Sequence, residues 1–290
     1  MLTAVGTACS LLKLRIGIAI AASALAGMAA AVGPRVAAWQ AAALMVAVLG
    51  ASGAAGAFNH YYERDLDRRM ARTRARPFAS GMLEPSVYWP VSFALLLALS
   101  LVLAAAAGGA IAAAYVFLGA FTYGFVYTVW LKRRSRWNII VGGLAGSFAV
   151  LAGAAAIDPA PQPVPVLLAL VLFLWTPPHF WSLAAAKAED YARAGVPMLP
   201  VVAPQAVWTT AILLHTIALV AVSLLPLWYG KGIFYGFCAA AGGAFFIWKS
   251  VQLYGAPGRR TALANFSASL VQLGLLVLGA IIDNWVGSLA

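Results

Sequence analysis

Asn59, Glu63 and Asp67 recur at every fourth position, with Asp65 among them. On a helix this spacing sets an amide and two carboxylates one turn apart along one face, and Asp65 points away from it. Arg64, Arg68 and Arg72 form a neighbouring stripe at the same spacing. A file of oxygen donors suits Mg²⁺, a hard cation that binds through one or two carboxylates together with substrate phosphates. A charge run is ordinarily a solvated, salt-bridged helix face. Here, however, three of the chain's eight carboxylates fall within five residues. They stand at the end of an apolar run, where ionisable groups mark functional sites.

A second acidic pair, Glu189 and Asp190, lies in Lys187-Ala-Glu-Asp-Tyr-Ala-Arg-Ala-Gly-Val-Pro-Met-Leu-Pro. It is a candidate for a second magnesium, so that two ions bracket one diphosphate. Lys132 and Arg133 suit a grip on phosphate, while Arg134 and Arg136 read as membrane anchors. Tyr123 and Tyr127 stand one turn apart, where their π-faces suit a developing carbocation. In Trp175-Thr-Pro-Pro-His-Phe-Trp the two prolines predict a kink or break. That break places His179 for a substrate contact, whereas His215 reads as structural. No Ser-His-Asp set, glycine-rich phosphate loop or nucleotide fingerprint is present.

These residues must be positioned by helices in a bilayer. Of 290 residues, 63% are hydrophobic and 9% charged, with mean hydropathy +0.90, the composition of an integral membrane protein. Nine apolar runs are long enough to span as helices, at 14–32, 36–57, 88–107, 109–130, 138–157, 163–185, 206–228, 231–253 and 263–287. The expected fold is therefore all-α, a single bundle of nine transmembrane helices forming one domain over residues 1–290. Lys13 and Arg15 before the first run resemble a secretory leader, but eight further spans favour a true first helix. Alanine and glycine runs at 104–107, 112–114 and 142–156 predict close helix packing.

With the N-terminus cytoplasmic, 17 of the 19 basic residues fall inside and only Arg35 and Lys231 outside, so the C-terminus is expected outside. The net charge of +11 points to anionic lipid and an anionic substrate rather than nucleic acid. Cys9 and Cys238 form neither a disulfide framework nor a thiolate metal site. Carboxylates follow the second and sixth runs, and basic pairs follow the fourth and eighth. That alternation suggests a parallel repeat.

The chain resembles the prenyltransferase superfamily that includes the ubiquinone-pathway 4-hydroxybenzoate prenyltransferases. Within it the resemblance is closest to the protoheme IX farnesyltransferases. The Asn59 to Asp67 pattern, running into Arg72-Thr-Arg-Ala-Arg-Pro, is similar to the whole superfamily. Trp175-Thr-Pro-Pro-His-Phe and Ala194-Gly-Val-Pro-Met-Leu-Pro are similar to the haem branch alone. Tyr127-Thr-Val-Trp-Leu-Lys-Arg-Arg-Ser and Asn138-Ile-Ile-Val-Gly-Gly complete the likeness. Two places depart from it: Glu63 stands where the superfamily has Asp, and Glu189 where the haem branch opens Asp-Asp-Tyr. Both keep charge and oxygen donors.

The resemblance implies a cavity opening toward the cytoplasmic side and laterally to lipid. Asn59, Glu63, Asp67 and Asp190, with Glu189 beside them, would hold Mg²⁺ on the diphosphate of farnesyl diphosphate. Lys132 and Arg133 would neutralise that leaving group. Arg68, Arg72, Tyr123, Tyr127, Asn138 and His179 would complete the substrate contacts. A vinyl group of haem B, a substrate rather than a cofactor, would capture the farnesyl cation, and water would complete haem O. A bacterial cytoplasmic membrane is the implied location. Lipid surrounds the enzyme there, and the implied downstream partners are a haem A synthase or terminal-oxidase assembly factors. An aromatic quinone precursor as acceptor fits the Trp175 stretch less well. A transporter or haem exporter has no use for a magnesium-diphosphate constellation on one face.

Overall fold

The computed structural model describes residues 4–34 and 36–287, so Arg35, expected on the outer side, lies outside the described residues. Every regular element among them is helical. In chain order these are α1 (Ala4–Leu11), α2 (Leu14–Ala30), α3 (Ala38–Tyr62), α4 (Arg64–Arg68) and α5 (Tyr88–Phe121). A π-helical segment (Thr122–Leu131) continues α5, followed by α6 (Asn138–Gly142), α7 (Leu144–Ala155), α8 (Pro163–Ala186), α9 (Ala188–Arg193) and α10 (Leu199–Val202). Then come α11 (Gln205–Leu224), α12 (Ile233–Gly255) and α13 (Arg259–Gly287).

Seven helices are long and apolar enough to cross a membrane, or eight when the bent pair α1–α2, at 56°, counts as one span. The difference from nine arises at two places. α2 has only 17 residues, and two expected runs are joined in one 44-residue helix, Tyr88–Leu131. A straight helix of that length would reach about 66 Å, twice a hydrocarbon core. Gly109, at φ 82° and ψ 174°, leaves helical geometry in its middle. Contacts with α3 give the direction of each arm. Gly50 lies against Ser100 and Leu96, and Ala57, two turns on, shares a small core cluster with Phe93. Beyond Gly109 the order runs the other way, with Gly124 against Ala55 and Thr128 bonded to Asn59. The chain therefore reverses at Gly109, a positive-φ position that glycine adopts without penalty.

Small residues let the helices approach closely. A Cβ on Gly27 would meet the Val150 carbonyl, and one on Gly153 the Ala24 carbonyl, so α2 and α7 run antiparallel nearly backbone to backbone. Across the other half, Thr216, Ser250, Asn265 and Ser182 form a buried chain of hydrogen bonds through α11, α12, α13 and α8. Outward positions such as Leu99, Phe117, Phe125 and Leu214 are exposed and apolar, as a lipid-facing surface requires.

The proline pair does not break α8, one of the two outcomes the sequence predicts there. The helix runs unbroken from Pro163 to Ala186 through Pro177 and Pro178. Hydroxyls bond to carbonyls on both sides, with Thr176 Oγ1 donating to Leu172 O at 2.9 Å and Ser182 Oγ to Pro178 O at 2.6 Å. Trp175 Nε1 ties the same turn to Ser269 O at 2.8 Å. A neighbouring helix and hydroxyl groups thus anchor the turn that lacks two amides.

Candidate active site

One end of the bundle collects the charged loops, and the acidic face is assembled there. Helical bonding continues past the end of α3: Glu63 N donates to Asn59 O at 3.0 Å, and Asp67 N to Glu63 O at 2.8 Å. Asn59, Glu63 and Asp67 therefore keep their one-turn spacing, and all three are buried. Buried carboxylates need charged partners. Lys132 forms an ion pair with Glu63 Oε2. One Arg76 amino group reaches both Asp67 oxygens, at 3.0 and 2.8 Å. Asn59 Nδ2 donates to Glu63 Oε2 at 2.8 Å and to Thr128 Oγ1 at 3.1 Å. Lys13 Nζ donates to Asn59 Oδ1 at 2.5 Å and to the Tyr123 hydroxyl at 2.8 Å.

The π-helical segment supplies the facing wall. Its wide turn, closed by Lys132 N on Tyr127 O at 2.9 Å, brings Tyr123, Tyr127, Thr128 and Lys132 to the same side. The two tyrosine rings stack with centroids 5.8 Å apart, and the Lys132 ammonium stands 5.7 Å from the centre of the Tyr127 ring. Asn138 is fully buried, and its Nδ2 holds the Lys132 carbonyl at 3.3 Å. Asn138 thereby fixes the turn from which Lys132 projects.

The second acidic loop reaches the same end. Asp190 Oδ1 accepts the Ala71 amide at 3.4 Å and pairs with Arg193. Met70, Tyr191 and Met198 seal the junction as a small core. Burial pushes the Asp190 carboxyl up. The bonds from Arg193 and Ala71, with the charges of Arg193 and Lys187, more than offset that, and the group sits below the ordinary carboxylate value.

Several sequence candidates make no bond to the acidic face. Arg68 turns outward to Ala79 O and Asp65. Arg72, Arg133 and Glu189 are exposed, Arg133 lying 5.9 Å from the Tyr62 ring centre. The guanidinium on the acidic face belongs instead to Arg76, which the sequence reading does not single out. His179 projects toward α13, between Trp175 and Phe266 at centroid distances of 4.1 and 4.4 Å. Its Nδ1 meets Ser269 Oγ at 2.7 Å, and because that hydroxyl donates to Phe266 O, Nδ1 is the protonated nitrogen. Lys13 and Thr128 were missed altogether, since neither spacing nor composition joins them to Asn59.

No three Asp, Glu, His or Cys side chains converge on one point among the described residues, so an all-protein metal cage is absent there. The donors are nonetheless hard oxygens, and Glu63 Oε1 is buried without a hydrogen-bond partner. That arrangement fits a cation such as Mg²⁺, which takes few protein ligands and completes its shell with water and phosphate. The Glu63–Lys132 pair is also structural. Lys132→Met leaves a buried carboxylate alone and is expected to cost about 3–5 kcal/mol. Thermal unfolding in detergent checks this, and the double variant Glu63→Gln/Lys132→Met should recover most of the loss.

The model of the UbiA prenyltransferase family matches residues 20–282. A protoheme IX farnesyltransferase 2 of Paramagnetospirillum magneticum is 55% identical over 276 residues, covering 94% of this chain and 95% of that protein. A protoheme IX farnesyltransferase 1 of the same organism is 48% identical, covering 94% and 96%. Among solved structures, a digeranylgeranylglyceryl phosphate synthase superposes with a TM-score of 0.78 at 19% identity, over 97% of this chain and 98% of that one. A UbiA homolog from Archaeoglobus fulgidus, bound to GPP and Mg²⁺, gives 0.64 at 13% identity over 95% and 99%.

Proposed function

Because this chain belongs to the UbiA prenyltransferase family, we propose that it transfers the farnesyl group of farnesyl diphosphate to a vinyl group of haem B, giving haem O. The observation that carries the reading is the buried Asn59–Glu63–Asp67 face, lined by tethered cations at one end of an apolar bundle. Relatives at 55% and 48% identity over nearly the whole chain bear the matching name. In this reading the bundle makes nine crossings, the two arms that meet at Gly109 being counted separately. The basic loops favour a cytoplasmic polar end, in a bacterial inner membrane.

Asn59, Glu63, Asp67 and Asp190 would hold Mg²⁺, which when bound neutralises the diphosphate and makes it a better leaving group. Lys132 and Arg76 add fixed positive charge beside it, in a site from which water is largely excluded. The C–O bond of farnesyl diphosphate breaks with both electrons leaving on the diphosphate. Tyr123 and Tyr127, stacked over the site, present π-faces to the farnesyl cation. The vinyl π-electrons of haem B form the new C–C bond. Water then adds to the resulting cation and loses a proton, which leaves the hydroxyethylfarnesyl group.

His179 is the haem-side contact in this reading. With Nδ1 bonded to Ser269, its Nε2 carries a free lone pair, held in place by the rings of Trp175 and Phe266.

Haem extracted from membranes that express the chain, separated and weighed by mass spectrometry, tests the assignment. Haem O is expected with Mg²⁺ and not after its chelation. His179→Ala should lower haem O about tenfold to a hundredfold while leaving binding of a farnesyl diphosphate analogue intact. Prenylation of a phenolic acceptor with no farnesylated haem would refute the haem assignment.

A further inference from the structure

Lys13 stands at the junction of α1 and α2, where a basic residue ordinarily serves as a membrane anchor. Its geometry is different. With φ 50° and ψ 43°, it is the single non-glycine residue of positive φ among the described residues. L side chains rarely adopt that conformation, and it persists only where surroundings enforce it. Its aliphatic stem lies against Gly56, where an added Cβ would come 3.3 Å from Lys13 Cδ and 3.5 Å from Cβ. Any larger residue at 56 would push the stem away. The ammonium is thereby delivered inward, onto Asn59 Oδ1 at 2.5 Å and the Tyr123 hydroxyl at 2.8 Å, 5.3 Å from the centre of that ring.

Asn59 uses its amide nitrogen on Glu63 and Thr128, so Oδ1 is the only side-chain atom it has for a metal. Lys13 already occupies that atom. Glu63 Oε2 is covered by Lys132 and both Asp67 oxygens by Arg76, which leaves Glu63 Oε1 as the open oxygen of these two carboxylates. A divalent cation entering alone would find that one open oxygen among oxygens in use, and positive charges with nowhere to go. A cation arriving with a diphosphate brings the anion that can receive those released charges.

We propose that Lys13 is a tethered stand-in for the divalent cation: it holds Asn59 Oδ1 until metal and diphosphate arrive together, then transfers its ammonium to the diphosphate. This rests on the reading of the acidic face given above, and adds to it an order of binding. Metal and diphosphate bind synergistically, each raising the affinity of the other by the same factor.

The test uses the full chain in detergent, with Mn²⁺ as the probe and bound metal measured by electron paramagnetic resonance. Wild type should bind Mn²⁺ weakly alone, and at least tenfold more tightly with farnesyl thiodiphosphate. Lys13→Met should bind Mn²⁺ alone at least tenfold more tightly than wild type. At saturating Mn²⁺ it should hold the thiodiphosphate at least tenfold more weakly. Lys13→Arg, which keeps the charge, should resemble wild type with metal alone. If Lys13→Met does not fold, Lys13→Gln carries the same measurement. Unchanged Mn²⁺ affinity in a folded, uncharged variant overturns the exchange while leaving the metal site intact. Absence of Mn²⁺ binding under every condition, thiodiphosphate included, overturns the metal site and the exchange together.

Discussion

Asp67→Ala should reduce farnesylated haem by about a hundredfold or more, the scale on which removing one preorganised electrostatic partner acts. The residue is buried, accepts two bonds from Arg76, and stands one turn beyond Glu63 on the acidic face. Truncation removes a proposed metal donor and also leaves Arg76 without its partner, so the electrostatics change twice. Mass analysis of extracted haem reads the activity, and thermal unfolding reports whether the chain still folds. Asp190→Ala is the companion variant, because Asp190 lies on the other loop and shares no hydrogen-bond partner with Asp67. Full activity in both variants would remove the metal reading of this face.

Gly153→Leu should prevent α2 and α7 from packing. A Cβ at that position would fall on the Ala24 carbonyl and 3.0 Å from the Met28 nitrogen, so it meets backbone rather than a side chain that can rotate. Overpacking a core costs about 1–3 kcal/mol where neighbours can adjust, and here they cannot without separating two helices. Most of the folded protein is expected to be lost, as read by monodisperse yield after solubilisation. Gly146→Ala is the control on the same helix: its Cβ would lie 3.8 Å from Leu172, an ordinary contact, and stability should barely change.

Much of this architecture is written as apolar length. The run at 163–185 and helix α8 differ by a residue at the end, because a bilayer asks of such a segment only that it be long and greasy. The acidic face is legible for a similar reason, since period four and helical continuity through Glu63 suffice to align Asn59 with Asp67. Its partners are not. Lys13 is 46 positions from Asn59, and Lys132 is 69 from Glu63, so only tertiary packing joins them. Among many arginines, sequence cannot distinguish Arg76, turned inward, from Arg133, turned outward. Pro177 and Pro178 suggested a break for a related reason: the indole and imidazole contacts that tie this turn down reach a helix ninety residues away. Glu63 and Glu189, both longer than the aspartates of the resembling families, have separate fates, the first buried on Lys132 and the second exposed.

The π-helical turn over Thr122–Leu131 bears on how such a chain can diverge. Each of its bonds spans one residue more than an α-helical bond, so the segment stores extra length as width. Rewound as an α-helix at the same length, the segment would turn Thr128 by about a quarter turn relative to Tyr123, and Lys132 by more. Every side chain would keep its type, yet the wall would no longer face Asn59 and Glu63. The facing wall therefore depends on how the segment winds as well as on which side chains it carries. Across homologous genes, a one-residue deletion here should come with a narrower, α-helical turn that keeps the wall toward Asn59.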